Sequence, residues 1–306
     1  MRIAMAGSSG FLGTRLTDRL TAEGHQVVRL VRRPPRGSDQ IRWDPRGGQL
    51  DPAALVNIDA VVNLAGANIG DKRWTAEYKR VLTASRTETT QLLATTIAGL
   101  PAGERPATLV NASAIGWYGD TGDRAVDENA PAGDGFMADL CRVWEAATRP
   151  AEDAGVRVVR LRSGLPLQAG EGFLKPQLLP FRLGLGGKIG SGRQWIAWIS
   201  LQDWLRAVVF LLGRDDVAGP VNIVGPHPAT NAEFTRALGQ AVHRPTIMPV
   251  PTLALRALLG ELSGEALRSS RVLPGVLNRV GFHFQHPHLD AALSAALADR
   301  QGAERV

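Results

Sequence analysis

Three glycines, Gly7, Gly10 and Gly13, lie at three-residue intervals in AMAGSSGFLG, directly behind the short apolar run from Ile3 to Ala6. That spacing suits a phosphate. The first glycine permits a tight turn, the second leaves the backbone bare where a pyrophosphate approaches, and the third lets a following helix pack closely on its strand. Gly7, Ser8, Ser9, Gly10, Phe11, Leu12 and Gly13 therefore form a candidate dinucleotide cradle, the plainer alternative being a simple strand-to-helix turn. About 20 residues on, an acidic side chain would bind a ribose 2′-hydroxyl. Here the chain reads RLVRRPPR instead. Arg32 and Arg33 cannot accept a hydroxyl proton, but they can pair with a 2′-phosphate, a charge-assisted contact worth ~1.5–3 kcal/mol. This pair points to NADP(H); a solvated basic loop is the alternative.

Such a cradle needs a sheet beneath it. Short β-branched runs at 2–6, 26–31, 58–65, 107–113, 157–162 and 220–224 read as strands. Between them, helices fit a segment opening at Gly10 and ending near Gly24, then 75–97, 136–153, 202–212 and 231–242. In the first of these, Leu12, Leu16 and Leu20 share one face. Alternation of this kind predicts an α/β fold, a doubly wound parallel sheet of Rossmann type with right-handed crossovers. Beyond Arg244 the pattern changes at Pro245, Pro249 and Pro251. The expected organisation is a nucleotide-binding domain over 1–244, including substrate-side segments, and a smaller C-terminal helical subdomain over 245–306.

Composition narrows the functional classes. The chain has 306 residues, 44% of them hydrophobic, with no apolar run approaching the ~20 residues of a membrane-spanning helix. No membrane partner is expected. The apolar N-terminus is too short for a signal peptide, and this predicts a cytoplasmic protein. A single cysteine, Cys141, excludes an internal disulfide and a cysteine-cluster metal site. The net charge of +6 comes from scattered arginines without a basic helix stripe, so no nucleic-acid partner is expected and a small, anionic ligand suits the denser stretch from Arg29 to Arg46. His283, His286 and His288 lie close together, yet Pro287 breaks any helix there, and no metal site is expected. The sequence leaves the oligomeric state open.

Longer strings carry a resemblance. AGSSGFLG, VVNLAGANI (61–69) and LVNASAIGWYG (109–119) resemble the glycine turn, the fourth strand and the serine-bearing fifth strand of extended short-chain dehydrogenases/reductases of the NAD-dependent epimerase type. More narrowly, NLAGANIGDKRW, SRTETTQLL, LPFRLGLGGKIGSGRQWIAWISLQDW and GPVNIVGPHPATNAEF resemble a sugar-nucleotide-epimerase-like subgroup that ends in a small domain of unknown function. The resemblance spans nearly the whole chain. It implies NADP over the carboxyl edge of the sheet, with Leu64, Ala65, Gly66 and Arg86 near it and Ser113 facing its nicotinamide. It also places 184–195 where such reductases bind substrate, making Arg182, Lys188, Arg193 and Gln194 candidate contacts to an anionic small molecule; a plain lid is the alternative.

One expected feature is missing. These enzymes normally carry Tyr-x-x-x-Lys, in which the tyrosine exchanges a proton with substrate while the lysine lowers its pKa and holds the ribose. The two tyrosines, Tyr78 and Tyr118, are followed four residues later by Leu82 and Gly122. Aligning DGFMADLCRVWE on Glu145 puts Met137 and Cys141 at the two positions, and a shift by one gives Phe136 and Leu140. Two readings follow. In one, the protein is an NADP-dependent oxidoreductase or epimerase of atypical mechanism, with Tyr118 and Ser113 at the reacting oxygen. In the other, it binds NADP(H) as a non-catalytic sensor or partner-binding module.

Overall fold

The computed structural model describes residues 1–303; the last three residues of the expected C-terminal subdomain lie outside the described residues. In chain order the elements are β1 (Arg2–Ala6), α1 (Phe11–Ala22), β2 (Gln26–Val31), β3 (Gln40–Asp44), β4 (Gln49–Leu50), β5 (Ala60–Asn63), α2 (Ala76–Gly99), β6 (Thr108–Ala114), α3 (Phe136–Ala146), α4 (Arg149–Asp153), β7 (Arg157–Ser163) and β8 (Leu165–Leu167). There follow α5 (Lys175–Arg182), β9 (Trp195–Ile196), β10 (Trp198–Ser200), α6 (Leu201–Leu212), β11 (Gly219–Ile223), β12 (Ala229–Thr230), α7 (Asn231–Ala241), α8 (Thr252–Leu259), α9 (Ser263–Leu267), α10 (Gly275–Arg279) and α11 (Leu289–Ala303). The main sheet is 8-stranded, in the order β11-β7-β6-β5-β1-β2-β3-β4. Pairings β1–β2, β1–β5, β2–β3 and β5–β6 are parallel, while β3–β4 is antiparallel. This is the expected Rossmann-type sheet, accompanied by helices.

The chain forms two compact units. The first comprises Met1–Ser113, Asp139–Leu161 and Val208–Pro220; the second comprises Ala114–Ala138, Arg162–Ala207 and everything from Val221 onward. The pattern change at 244/245 therefore falls inside the second unit rather than at its border.

In the first unit, β1 is buried on both faces, as a central parallel strand must be. Ala4 and Ala6 pack with Val28, Leu30, Val61 and Leu109 against Leu93, Ala94 and Ile97 of α2 and Ala151 of α4. On the other face α1 covers the sheet: Leu16 and Leu20 are buried, and the Thr17 hydroxyl donates to the Met5 sulfur at 3.3 Å. In the second unit, β8–β10 pair in parallel and β9–β12 antiparallel, with Trp198, Phe234, Leu238 and Leu293 in a common core. A capping box, in which Thr230 and Glu233 satisfy each other's backbone N–H groups, starts α7.

Three local differences from the sequence expectation have physical causes. The strand expected over 58–65 is shorter, Ala60–Asn63, because the chain turns after Asn63. The helix expected over 136–153 is broken into α3 and α4, since Pro150 has no N–H and its ring would collide with the carbonyl of residue 146 in a continuous helix. The short β3–β4 hairpin was not foreseen: of β3 only Trp43 is buried, which leaves no readable alternation.

Candidate functional site

The glycine turn lies at the carboxyl end of β1, which is flanked by β2 on one side and β5 on the other. The strand order reverses there, which is the position at which doubly wound sheets bind ligands. Gly7 has φ +77°, and a Cβ on it would stand 2.7 Å from the Leu64 carbonyl carbon and oxygen. A Cβ at Gly13 would run into the carbonyl of Gly7. Packing of the chain itself therefore dictates both glycines. Gly10 differs, for a Cβ there meets only the Gly7 oxygen, at 3.4 Å. No other described residue fills that space. Gly10 is also the N-cap of α1 and brings no capping side chain, which leaves the first-turn N–H groups directed outward beside half-buried Phe11 and Leu12 and exposed Ser9. The half-buried Ser8 accepts a hydrogen bond from Thr14 through its carbonyl, at 3.3 Å. Arg32 and Arg33 follow β2 directly and are exposed; among the described residues neither is paired with a carboxylate.

A buried polar knot fixes the end of β5. The Asn63 amide donates to Thr90 at 3.0 Å and to the Asn111 oxygen at 2.8 Å, and the Trp144 indole donates to Thr90 at 3.1 Å. The Asn63 oxygen accepts the Ala65 N–H at 3.1 Å, and the Leu64 N–H reaches the Ala6 carbonyl at 3.0 Å. Leu64, Ala65 and Gly66 are thereby held beside the glycine turn. Gly66 faces Arg86: a Cβ there would touch the Arg86 Cγ and Cζ at 3.4 Å. Arg86 is 9% exposed; its Nη1 donates to the Leu82 carbonyl at 3.0 Å, and its guanidinium stands over the Trp144 ring at 5.1 Å. Its Nε is buried without a hydrogen-bond partner, and no carboxylate pairs with it among the described residues. Burial lowers its pKa, while the nearby Cys141 thiol and Tyr78 phenol act in the opposite sense.

Ser113, near the carboxyl end of β6, donates to the Glu145 carboxylate at 2.6 Å, and both groups are buried. Glu145 in turn lies 3.8 Å from Arg160 Nε, and Arg160 pairs with Glu152. The second unit holds Tyr118. Its hydroxyl donates to the Asn222 oxygen at 2.7 Å and accepts from Arg162 at 3.0 Å, and the residue is 2% exposed. Burial pushes its pKa up to about 12 against the lowering effect of Arg162. Glu128 accepts the N–H groups of Asn222 at 2.8 Å and Val276 at 3.1 Å, a structural part. Arg182, Lys188 and Arg193 are exposed, whereas Gln194 is half-buried and donates to the Ile189 carbonyl at 3.2 Å. Asn231 accepts the Ile189 N–H at 2.7 Å and so ties this loop to the start of α7.

Within the first unit, then, the structure brings together the glycine turn, residues 64–66 and Arg86, with Ser113 on the strand next to β5. Ser113 and Tyr118 belong to different units, and each has separate partners. Glu145 as the acceptor for Ser113 was missed in the sequence, because 32 residues separate the two and only the β6–α3 packing joins them. Among the described residues no group of three or more His, Cys, Asp or Glu could hold a metal ion, and no helix is long and apolar enough to cross a membrane.

The chain is similar to known proteins along nearly its whole length. Residues 3–225 match the NAD dependent epimerase/dehydratase family, and residues 250–296 match a domain of unknown function, DUF1731. The chain is 48% identical over 295 residues to the epimerase family protein Mb2239 of Mycobacterium bovis, covering 96% of this chain and 97% of that protein. It is similar to the crystal structure of human epimerase family protein SDR39U1 (isoform 2) with NADPH, at a TM-score of 0.88 and 37% identity, over 98% of this chain and 100% of that one. It is also similar to a nucleoside-diphosphate sugar epimerase from Corynebacterium glutamicum, at a TM-score of 0.78 and 32% identity, over 100% of this chain and 61% of that one.

Proposed function

The chain belongs to the NAD dependent epimerase/dehydratase family, and from that premise we propose that it is an NADP(H)-dependent oxidoreductase or epimerase acting on a small alcohol or carbonyl substrate by an atypical mechanism. The observation that carries this reading is the buried Ser113–Glu145 pair, which joins a hydroxyl to a carboxylate at 2.6 Å near the carboxyl end of β6. In it, residues 7–13 hold the pyrophosphate, Leu64, Ala65 and Gly66 lie beside it, and Arg32 and Arg33 take the 2′-phosphate. The open space at Gly10 supports the first assignment, since a phosphate is what would profit from it. The human relative that binds NADPH supports the choice of cofactor. When bound, the nicotinamide supplies or accepts a hydride.

The protein's own part is the proton. Ser113 already donates to Glu145, so its oxygen has lone pairs left to accept a substrate hydroxyl proton while its own proton passes to the carboxylate. In the reverse direction the same pair returns a proton to a carbonyl oxygen. The sequence suggested Tyr118 beside Ser113; in the present reading the two partners of its hydroxyl and its raised pKa make Tyr118 an anchor of the second unit. Exposed Arg182, Lys188 and Arg193 are the candidate contacts to an anionic substrate, with Gln194 shaping their loop. A cytoplasmic location goes with this reading.

NADPH oxidation with a panel of small carbonyl compounds tests it. Wild-type turnover should fall ~10²–10⁴-fold in Glu145→Gln, which keeps the hydrogen bond but cannot accept the proton, and comparably in Ser113→Ala. NADPH affinity should change little in both. Equal activity in Glu145→Gln would refute the proton route. A second reading, cofactor binding without turnover, is favoured by the absence of the Tyr-x-x-x-Lys pair; firm NADPH binding with no oxidation across the panel would select it.

A further inference from the structure

Among the described residues, Arg86 is a buried cation with no carboxylate paired to it. Its Nε has no partner, and its Nη1 is bonded only to a carbonyl of its own helix. A charge left this way is costly unless a ligand completes it. Its surroundings show which ligand. The guanidinium lies against Gly66, at the end of β5, and over the ring of Trp144 on α3. One turn before Trp144 stands Cys141, a fully buried thiol at the position where the alignment on Glu145 would have the family's lysine. The strand order separates the two ends of a dinucleotide laid across β1: Arg32 and Arg33 mark the β2 side, and Arg86 lies on the β5 and β6 side.

We propose that Arg86, reaching from α2, is the cation that holds the nicotinamide-side ribose and phosphate oxygens of the cofactor, in place of the lysine that α3 lacks. The inference rests on the NADP(H) reading above. A guanidinium presents several N–H donors in a fixed plane, which suits vicinal ribose hydroxyls and phosphate oxygens. Trp144 sets that plane by stacking, and its own indole is pinned by Thr90, so the polar knot under β5 also orients the cation. Arg86 takes over the ribose-holding half of the lysine's work. No tyrosine of α3 remains for it to activate.

The test uses Arg86→Met, which keeps bulk and removes charge, and Arg86→Lys, which keeps charge. Two probes are titrated against the full-length protein: NADPH, and adenosine 2′,5′-bisphosphate, which carries only the adenosine side. Arg86→Met should bind NADPH roughly 10- to 100-fold more weakly yet bind adenosine 2′,5′-bisphosphate as the wild type does, and Arg86→Lys should fall between the two proteins for NADPH. Without ligand, Arg86→Met should melt no lower than wild type, because an unpaired buried charge has been removed. Unchanged NADPH affinity would overturn the inference. Equal weakening of both probes, a clearly lower melting temperature or failure to fold would also overturn it, because Arg86 would then be a packing element. Wild-type protein that binds neither probe would overturn the NADP(H) reading itself, a result distinct from any of these.

Discussion

Alanine at position 10 should leave the folded chain intact and spoil the cofactor site. The backbone of Gly10 is extended, with φ −81° and ψ 173°, a conformation open to every residue. A methyl group there meets only the Gly7 oxygen at 3.4 Å, an ordinary contact. Alanine is a poorer N-cap than glycine by ~0.5–1 kcal/mol, and it lowers the entropy of the unfolded chain by ~0.4–1 kcal/mol. The two effects nearly cancel, so unfolding in urea should shift by less than ~0.5 kcal/mol. Phosphate is another matter. The methyl group would stand where an oxygen must approach the α1 N–H groups, and losing one charge-assisted hydrogen bond of ~1.5–3 kcal/mol weakens binding ~10- to 100-fold. Fluorescence titration with NADPH reads this directly. Gly13→Ala is the contrast, since its methyl collides with the Gly7 carbonyl and should destabilise the fold before any ligand is added. Wild-type NADPH affinity in Gly10→Ala would refute the phosphate role of the turn. A large loss of stability would refute the geometry.

Two further outcomes are expected. Arg32→Ala and Arg33→Ala should each weaken NADPH ~10-fold or more while leaving NADH unchanged, as competing titrations would show; equal losses for both cofactors would remove the 2′-phosphate contact. Tyr118→Phe strips partners from buried Arg162 and Asn222 and should lower stability by ~1–3 kcal/mol in urea unfolding. The Tyr118 pKa is pushed up to about 12 in the folded chain, so its contribution is complete below the ordinary tyrosine pKa and disappears as pH rises through the folded value. Wild type should thus lose ~2–3 kcal/mol between about pH 10 and pH 12, and Tyr118→Phe should lack that component of the alkaline decline.

Strand β1 was legible as a continuous, buried apolar run that ends at Gly7, and β2 as a β-branched run soon after Gly24 of which Val28 and Leu30 are buried. The glycine turn was equally legible, its demands being local. What escaped was long-range or compensatory. The β3–β4 hairpin buries too little to leave a pattern, and the break at Pro150 was absorbed into one long amphipathic helix. At the site, Ser113 could be named from its strand, but Glu145 acquires its role only when α3 is laid along β6. Arg86 was placed near the cofactor by resemblance alone. That no carboxylate among the described residues pairs with it is a property of the packed unit, and no spacing along the chain encodes it.

The alternation of the chain between its two units has a consequence for biogenesis. The first unit needs Val208–Pro220 to be complete, and by then two segments of the second unit have already been made. On the ribosome, neither unit can finish folding as an uninterrupted stretch of nascent chain. Emerging β1 and β2 must wait for sequence that arrives more than half a chain later, while the start of the second unit waits for its C-terminal helices. A chain ended at residue 244 would carry a complete first unit joined to an unfinished second one, whose core would lack Val272, Ala292, Leu293 and Ala296.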